Sequence, residues 1–340
     1  MRALLAGVAP FRARRSMTAA AWRGRIWQFG GVGANTLTES ILDVSDELWS
    51  FDPLAGAWHE ESARGPGPRR CNGFAESGRA LHLWGGSSVE QGPAGIRYTF
   101  LADHWALEPD ASEWRRLPDP PSGPCPRYWP VFAPLGERLF LAGGYTEDAL
   151  GRRRLGDAWL FDGPSSWLPA PEGPEARYGA VSAAAGDAVY VYGGCSEQAD
   201  LDDLWRFDGD GWECISAPGA AGAPPARYCA SVTLSGGSLI VFGGRSRFSP
   251  RTNYSDLWAC DLATGGWELV HPGTDDHRYD GSGDRPAYHA KAATATLGEQ
   301  MYVWGGEGRR GHVSDLWRLR LDELAWELLQ PARPDDPVLW

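Results

Sequence analysis

RYGAVSAAAGDAVYVYGGCSEQADLDDLWRFDGDGWECIS, residues 177–216, reads as four short strands in succession. After Arg177-Tyr178 the run GAVSAAA is a strand of small residues, and Gly186-Asp187 makes a tight turn. AVYVYGG is β-branched and aromatic and ends on a glycine pair. DDLWRFD alternates polar and apolar residues with the period of two that a half-buried strand requires. Gly209-Asp210-Gly211 turns the chain again, and WECIS completes an antiparallel meander of strands A, B, C and D.

The same grammar recurs along all 340 residues. Glycine pairs stand at 30–31, 85–86, 143–144, 193–194, 243–244 and 305–306. Each is followed by Asp-x-(x)-Trp, ending at Trp49, Trp105, Trp159, Trp205, Trp258 and Trp317. A second Trp follows at 58, 114, 167, 212, 267 and 326, so twelve of the 18 tryptophans occupy two positions of one repeat. A period of 50 to 62 residues predicts a radial or stacked array rather than several separate domains. Strand A is small where blades converge on an axis, strand B is apolar because sheets cover both faces, and the tryptophans anchor the interfaces. The paired glycines supply unusual φ or close backbone approach.

These features resemble the Kelch repeat, the blade of Kelch-type β-propellers, over residues 14–330. The resemblance implies an all-β fold, a six-bladed β-propeller of four-stranded antiparallel blades. The blades fall at about 14–62, 69–118, 127–171, 177–217, 227–271 and 286–331, within a propeller of residues 11–331. Residues 1–10 are left as a tail, edge segment or targeting remnant, and 332–340 as a C-terminal tail. Galactose oxidase carries related repeats but seven blades, against six here.

The net charge of −12 argues against nucleic acid and anionic membrane as partners, and no run of 18 apolar residues suggests a membrane span. Six scattered cysteines without CxxC spacing fit a reducing, cytoplasmic setting. Lys291 is the single lysine, which confines any Schiff-base chemistry to that position.

Strand alternation places the tight A–B and C–D turns on one face and the long B–C and D–A connections on the other. The elaborated side is the expected binding face. Sixteen residues before each glycine pair stand Arg14, Arg69, Arg127, Arg177 and Arg227, with His289 in the sixth blade. Tyr128, Tyr178 and Tyr228 follow three of the arginines, and Tyr288 precedes the histidine. Guanidiniums at a channel mouth could grip carboxylates bidentately. The arrangement looks like the arginine ring with which the Kelch propeller of the oxidative-stress sensor holds acidic degrons. The expected ligand is therefore a partner protein or acidic peptide, bound by a monomer without cofactor or metal. The competing reading pairs each arginine with an aspartate of its repeat: Asp46, Asp103, Asp157, Asp203, Asp256 and Asp315.

An enzyme remains the alternative: a small-molecule lyase, isomerase or oxidase, possibly metal-dependent, at the same mouth. Tyr288-His289 is similar to the adjacent Tyr-His of galactose oxidase, and Glu39, Asp43 and Glu47 to the iron triad of plant nitrile-specifier propellers. His277, His289 and His312 with Glu307 could converge on the elaborated face. None of these completes a local motif.

Overall fold

The computed structural model describes residues 10–33, 43–92, 95–163, 166–249, 253–273, 284–287, 289–308 and 311–333. Six four-stranded antiparallel sheets follow one another along the chain, each built from one contiguous stretch in the order A–B–C–D. Blade 1 comprises Thr18–Trp22, Arg25–Phe29, Leu48–Asp52 and Ala57–Glu61. Blade 4, the stretch quoted above, comprises Val181–Ala185, Ala188–Cys195, Asp200–Phe207 and Trp212–Ser216. Among the described residues there is no helix, and none long and apolar enough to cross a membrane.

The second tryptophan of each repeat lies on or beside strand D and packs on an aromatic ring of strand B in the preceding blade. Trp114 meets Phe29 at 6.2 Å between ring centres, Trp167 meets Trp84 at 6.0 Å, and Trp212 meets Phe140 at 5.7 Å. Trp267 meets Tyr192 at 5.4 Å and Trp326 meets Phe242 at 4.7 Å. The circle closes with Trp58 of blade 1 on Trp304 of blade 6, edge-on at 5.7 Å. The closing interface thus uses the same aromatic contact as the other five, and among the described residues no strand is shared between the two ends.

Strand A of every blade lines a central cavity of about 390 Å³, among them Ala19–Ala21, Ser182–Ala184 and Thr294–Thr296. Small residues dominate, as convergence on an axis requires. Phe74 and Phe132 are exceptions whose rings pack into the cores between blades 1, 2 and 3.

The B–C connections are more ordered than their irregular sequences suggested. In blade 2 the strands continue as one hairpin, Ala80–Gly92 with Gly95–Leu107. In blade 3 a separate hairpin pairs Tyr145–Asp148 with Gly151–Arg154. Blade 6 adds Glu307–Gly308 with Gly311–His312. Each keeps backbone N–H and C=O groups paired beyond the blade proper.

A histidine pair sits between blades 2 and 3: His82 Nδ1 is 3.1 Å from His104 Nε2, and His104 lies 4.4 Å from the Phe161 ring. Burial lowers both pKa values, His82 to about 4 and His104 well below its ordinary 6.5. The unfolded chain therefore binds more protons than the folded one between about pH 6.5 and 4. Stability is expected to be complete above pH 6.5 and to fall steadily through that window. His312, also lowered to about 4 by burial, adds to the same loss. Urea melts at several pH values should show the decline, and His104→Phe should flatten it; an unchanged slope in that variant would discard the assignment.

Candidate functional site

Each blade is entered by a three-residue lead-in: 14–16, 69–71, 127–129, 177–179, 227–229 and 289–291. The three positions have three different jobs.

The first position holds a buried cation. Arg127 and Arg227 are fully enclosed, and Arg69 and Arg177 nearly so. Each guanidinium grips the aspartate of its own repeat with both nitrogens. Arg69 reaches Asp103 at 2.8 and 3.0 Å, and Arg127 reaches Asp157 at 2.6 and 2.7 Å. Arg177 reaches Asp203 at 2.5 and 2.8 Å, and Arg227 reaches Asp256 at 2.6 and 3.0 Å. Every one of these four also donates to the carbonyl of the first glycine of its pair, as Arg227 does to Gly243 at 2.9 Å. The first tryptophan of the repeat donates its indole N–H to the same aspartate, for example Trp258 to Asp256 at 2.8 Å. Burial would raise the carboxyls of Asp103, Asp157 and Asp256, but the arginine contacts hold all three below their ordinary value.

This corrects the expectation that Arg69, Arg127, Arg177 and Arg227 face a ligand: their donors are already spent on the frame. Arg14 is likewise buried and lies 3.6 Å from Glu47, which takes the place that the alternative reading gave Asp46. Glu47 also accepts the Trp49 indole and immediately precedes strand C. His289 completes the set on Asp315 at 3.1 Å.

The glycine pairs follow from the same crossing. The first glycine of each pair has φ between 61° and 69°, the second between 91° and 109°. The second glycine's N–H donates to the carbonyl of the first lead-in residue of the next blade, as Gly244 does to His289 at 2.9 Å. A Cβ on Gly243 would lie 2.5 Å from that oxygen. Close backbone approach excludes any side chain there.

The third position forms a ring. Ser16, Cys71, Trp129, Gly179, Cys229 and Lys291 all adopt left-handed φ between 53° and 65°. Their backbones join head to tail: Ser16 N–H to Lys291 O at 2.9 Å, Cys71 to Ser16 at 3.1 Å, and Trp129 to Cys71 at 2.8 Å. Gly179 to Trp129 at 3.5 Å, Cys229 to Gly179 at 2.8 Å and Lys291 to Cys229 at 3.1 Å close the circle. Nothing in the sequence unites these six residues except their register.

The second position and the B–C excursions build the mouth above this ring, in two unlike halves. Over blades 2 to 5 runs an aromatic crescent. Phe100 stacks on Tyr128 at 5.3 Å, Tyr128 on Trp129 at 5.3 Å, Trp129 on Tyr178 at 5.7 Å, and Tyr178 meets Tyr228 at 5.8 Å. Burial raises the pKa of Tyr128, Tyr178 and Tyr228, so the phenols are neutral donors. Arg154 lies 5.5 Å over Tyr178, and Arg245 5.7 Å over Tyr228.

Toward blades 5, 6 and 1 the mouth is cationic. Arg245 at 2.6 Å, Lys291 at 2.9 Å and Arg15 share the one carboxylate of Glu307. Burial would raise the Glu307 carboxyl, yet Lys291 and Arg15 pull it down to about 2. Burial lowers the Lys291 amine, Glu307 pushes it back up, and the neighbouring Arg15 lowers it further. Sequence reasoning missed Arg15, Arg154, Arg245 and Trp129; for Arg15, Arg245 and Trp129 a position within two residues of a lead-in arginine or glycine pair was the available signal, while Arg154 lies inside the B–C connection of blade 3.

Among the described residues, no three His, Cys, Asp or Glu side chains gather as a metal site. Glu39, His277 and Tyr288 lie outside the described residues. His289 is committed to Asp315, and His312 is buried with Nδ1 unpartnered. All six cysteines are free thiols.

The KLHDC2/KLHL20/DRC7 Kelch-repeats domain family matches the chain at residues 74–276 and 212–337. Host cell factor 2 of Homo sapiens is 27% identical over 353 aligned positions, covering 91% of this chain and 42% of that protein. Host cell factor of Drosophila melanogaster is 25% identical over 323 positions, covering 82% of this chain and 21% of that protein. The chain thus spans less than half the length of these curated relatives. The solved structure of YjhT superposes with a TM-score of 0.70 at 17% identity, over 94% of this chain and 98% of that one, a likeness of fold.

Proposed function

Because this chain belongs to the KLHDC2/KLHL20/DRC7 Kelch-repeats domain family, we propose that it is a protein-interaction module receiving an acidic segment of a partner protein at the channel mouth. One observation carries the reading. A protein of net charge −12 gathers Arg15, Arg245 and Lys291 around a single carboxylate and sets Arg154 and Arg245 over tyrosine rings. Such a cationic island in an acidic surface favours and orients a negative partner. Tyr128 and Tyr178, half-buried, are the contact side chains, offering rings with hydroxyl donors, and the buried Tyr228 backs them. Arg14, Arg69, Arg127, Arg177, Arg227 and His289 act one layer below, fixing the lead-ins that present them.

The same face supplies apolar anchors. Ile96, Tyr98, Leu150 and Phe248 are large exposed apolar side chains on the B–C excursions of blades 2, 3 and 5. Apolar anchors around a polar centre suit a protein partner better than a small solute.

The test uses a fluorescently labelled glutamate-rich peptide. Arg154→Ala combined with Arg245→Ala should weaken its binding by at least about a hundredfold at low salt, since two charge-assisted contacts worth about 1.5–3 kcal/mol each are lost. Added salt should shrink the difference. Fluorescence anisotropy reads the affinity; a folded double variant that binds as tightly as the parent rejects the reading.

A further inference from the structure

We propose that Lys291 is a carbonyl-capturing amine, condensing reversibly with a small 2-oxo acid admitted at the channel mouth while Arg15 and Arg245 hold that acid's carboxylate. This goes beyond partner binding, and it rests on where the chain's one lysine stands.

Lys291 occupies the ring position of blade 6 with φ 56°, at the axis rather than on the outer surface. Its side chain is 9% exposed. Nζ lies 2.9 Å from Glu307 Oε1 and 5.5 Å from the centre of the Trp129 ring. Arg15 and Arg245 converge on the same carboxylate, so three cations divide one negative charge. A lysine that is desolvated and set beside another cation is activated as a nucleophile. The direction of its pKa agrees, lowered by burial and by Arg15 against the pull of Glu307. The side chains of Arg15 and Arg245 are 26% and 27% exposed, and each reaches Glu307 through a single terminal nitrogen. Both guanidiniums therefore keep a donor for an incoming carboxylate. A structural cation alone would need neither the aromatic wall nor two under-used arginines.

The chemistry balances without an oxidant or reductant. The neutral amine attacks the carbonyl carbon, a C–N bond forms, and the C=O electron pair moves to oxygen. The carbinolamine then expels that oxygen as water with the two protons that nitrogen gives up, leaving the imine. Glu307, within hydrogen-bond reach of Nζ, relays the protons, and hydrolysis returns the free amine.

Two amines exist in the chain, the N-terminus and Lys291, so the experiment has a built-in comparison. The intact protein is incubated at neutral pH with glyoxylate or with acetaldehyde, each with cyanoborohydride, and mapped by peptide mass spectrometry. An ordinary lysine, with a pKa of about 10.4, reacts more slowly there than an α-amine at about 7.7–8.0. Lys291 is expected to match or outpace the N-terminal amine, with glyoxylate preferred over acetaldehyde by about tenfold through the charge-assisted grip. Arg245→Gln should bring the ratio of glyoxylate to acetaldehyde labelling at Lys291 towards one, whatever the absolute rates, and Lys291→Arg should leave only N-terminal label. Labelling confined to the N-terminus of the folded protein overturns the proposal. Equal labelling by the two reagents, or a preference untouched by Arg245→Gln, overturns the 2-oxo acid assignment. Peptide affinity is measured separately, so either reading can fail while the other stands.

Discussion

Replacing Arg227 by alanine is expected to destabilise the propeller by about 3–5 kcal/mol, the usual cost of stripping one partner from a buried ion pair. The guanidinium is fully enclosed, with Asp256 at 2.6 and 3.0 Å, the Gly243 carbonyl at 2.9 Å and the Pro225 carbonyl at 2.9 Å. The ring of Tyr254 covers its face at 4.2 Å. Truncation would leave a mostly buried carboxylate with the Trp258 indole as its remaining side-chain donor and two carbonyls short of a partner. Urea denaturation measures the loss. The double variant with Asp256→Leu should recover part of it, because no buried charge is then left alone. A loss below about 1 kcal/mol, the worth of an exposed pair, would show that water reaches the site. Substituting the lead-in arginines is for this reason a poor test of ligand binding: lost capture would report a damaged frame.

Gly243→Ala should also cost several kcal/mol, and for a different reason. Gly243 has φ 65°, and its new Cβ would lie 2.5 Å from the His289 carbonyl oxygen and 3.4 Å from that of Tyr254. Both obstacles are backbone, so relief would require separating blades 5 and 6. Gly236 is the matched control: its φ is 56°, but nothing lies within 4 Å of a Cβ there. Gly236→Ala should cost only the left-handed strain of about 1–2 kcal/mol. Chemical denaturation of the two variants isolates the clash. If they melt alike, conformation alone explains the glycine pairs and close approach does not.

The architecture was legible because the glycine pairs and both tryptophans recur six times in the same order, and repetition turns weak local signals into one strong one. The arginines were legible in position, while their role stayed open between a ligand and the aspartate of the repeat. A cation 26 to 34 residues from its aspartate looks the same in sequence whether it faces water or that aspartate. The clue lay in recurrence on both sides: each repeat with a lead-in cation also kept an Asp or Glu before its first tryptophan, down to His289 with Asp315 and Arg14 with Glu47. The ring was illegible for the opposite reason. Ser, Cys, Trp, Gly and Lys share no chemistry, and only Gly179 hints at a left-handed backbone. The hairpins of blades 2 and 3 hid behind glycine and charged residues, which weaken strand signals even where cross-strand pairing holds.

The six amides at the axis all circulate in one rotational sense, each N–H pointing to the preceding blade's carbonyl. Peptide dipoles laid tangentially in a closed loop cancel along the axis, unlike the aligned dipoles of a helix. This ring of amides therefore adds almost no axial polarity of its own to the pore. Whatever potential a visiting molecule meets is written by exchangeable side chains, so selectivity can drift from one descendant to another while the masonry stays put.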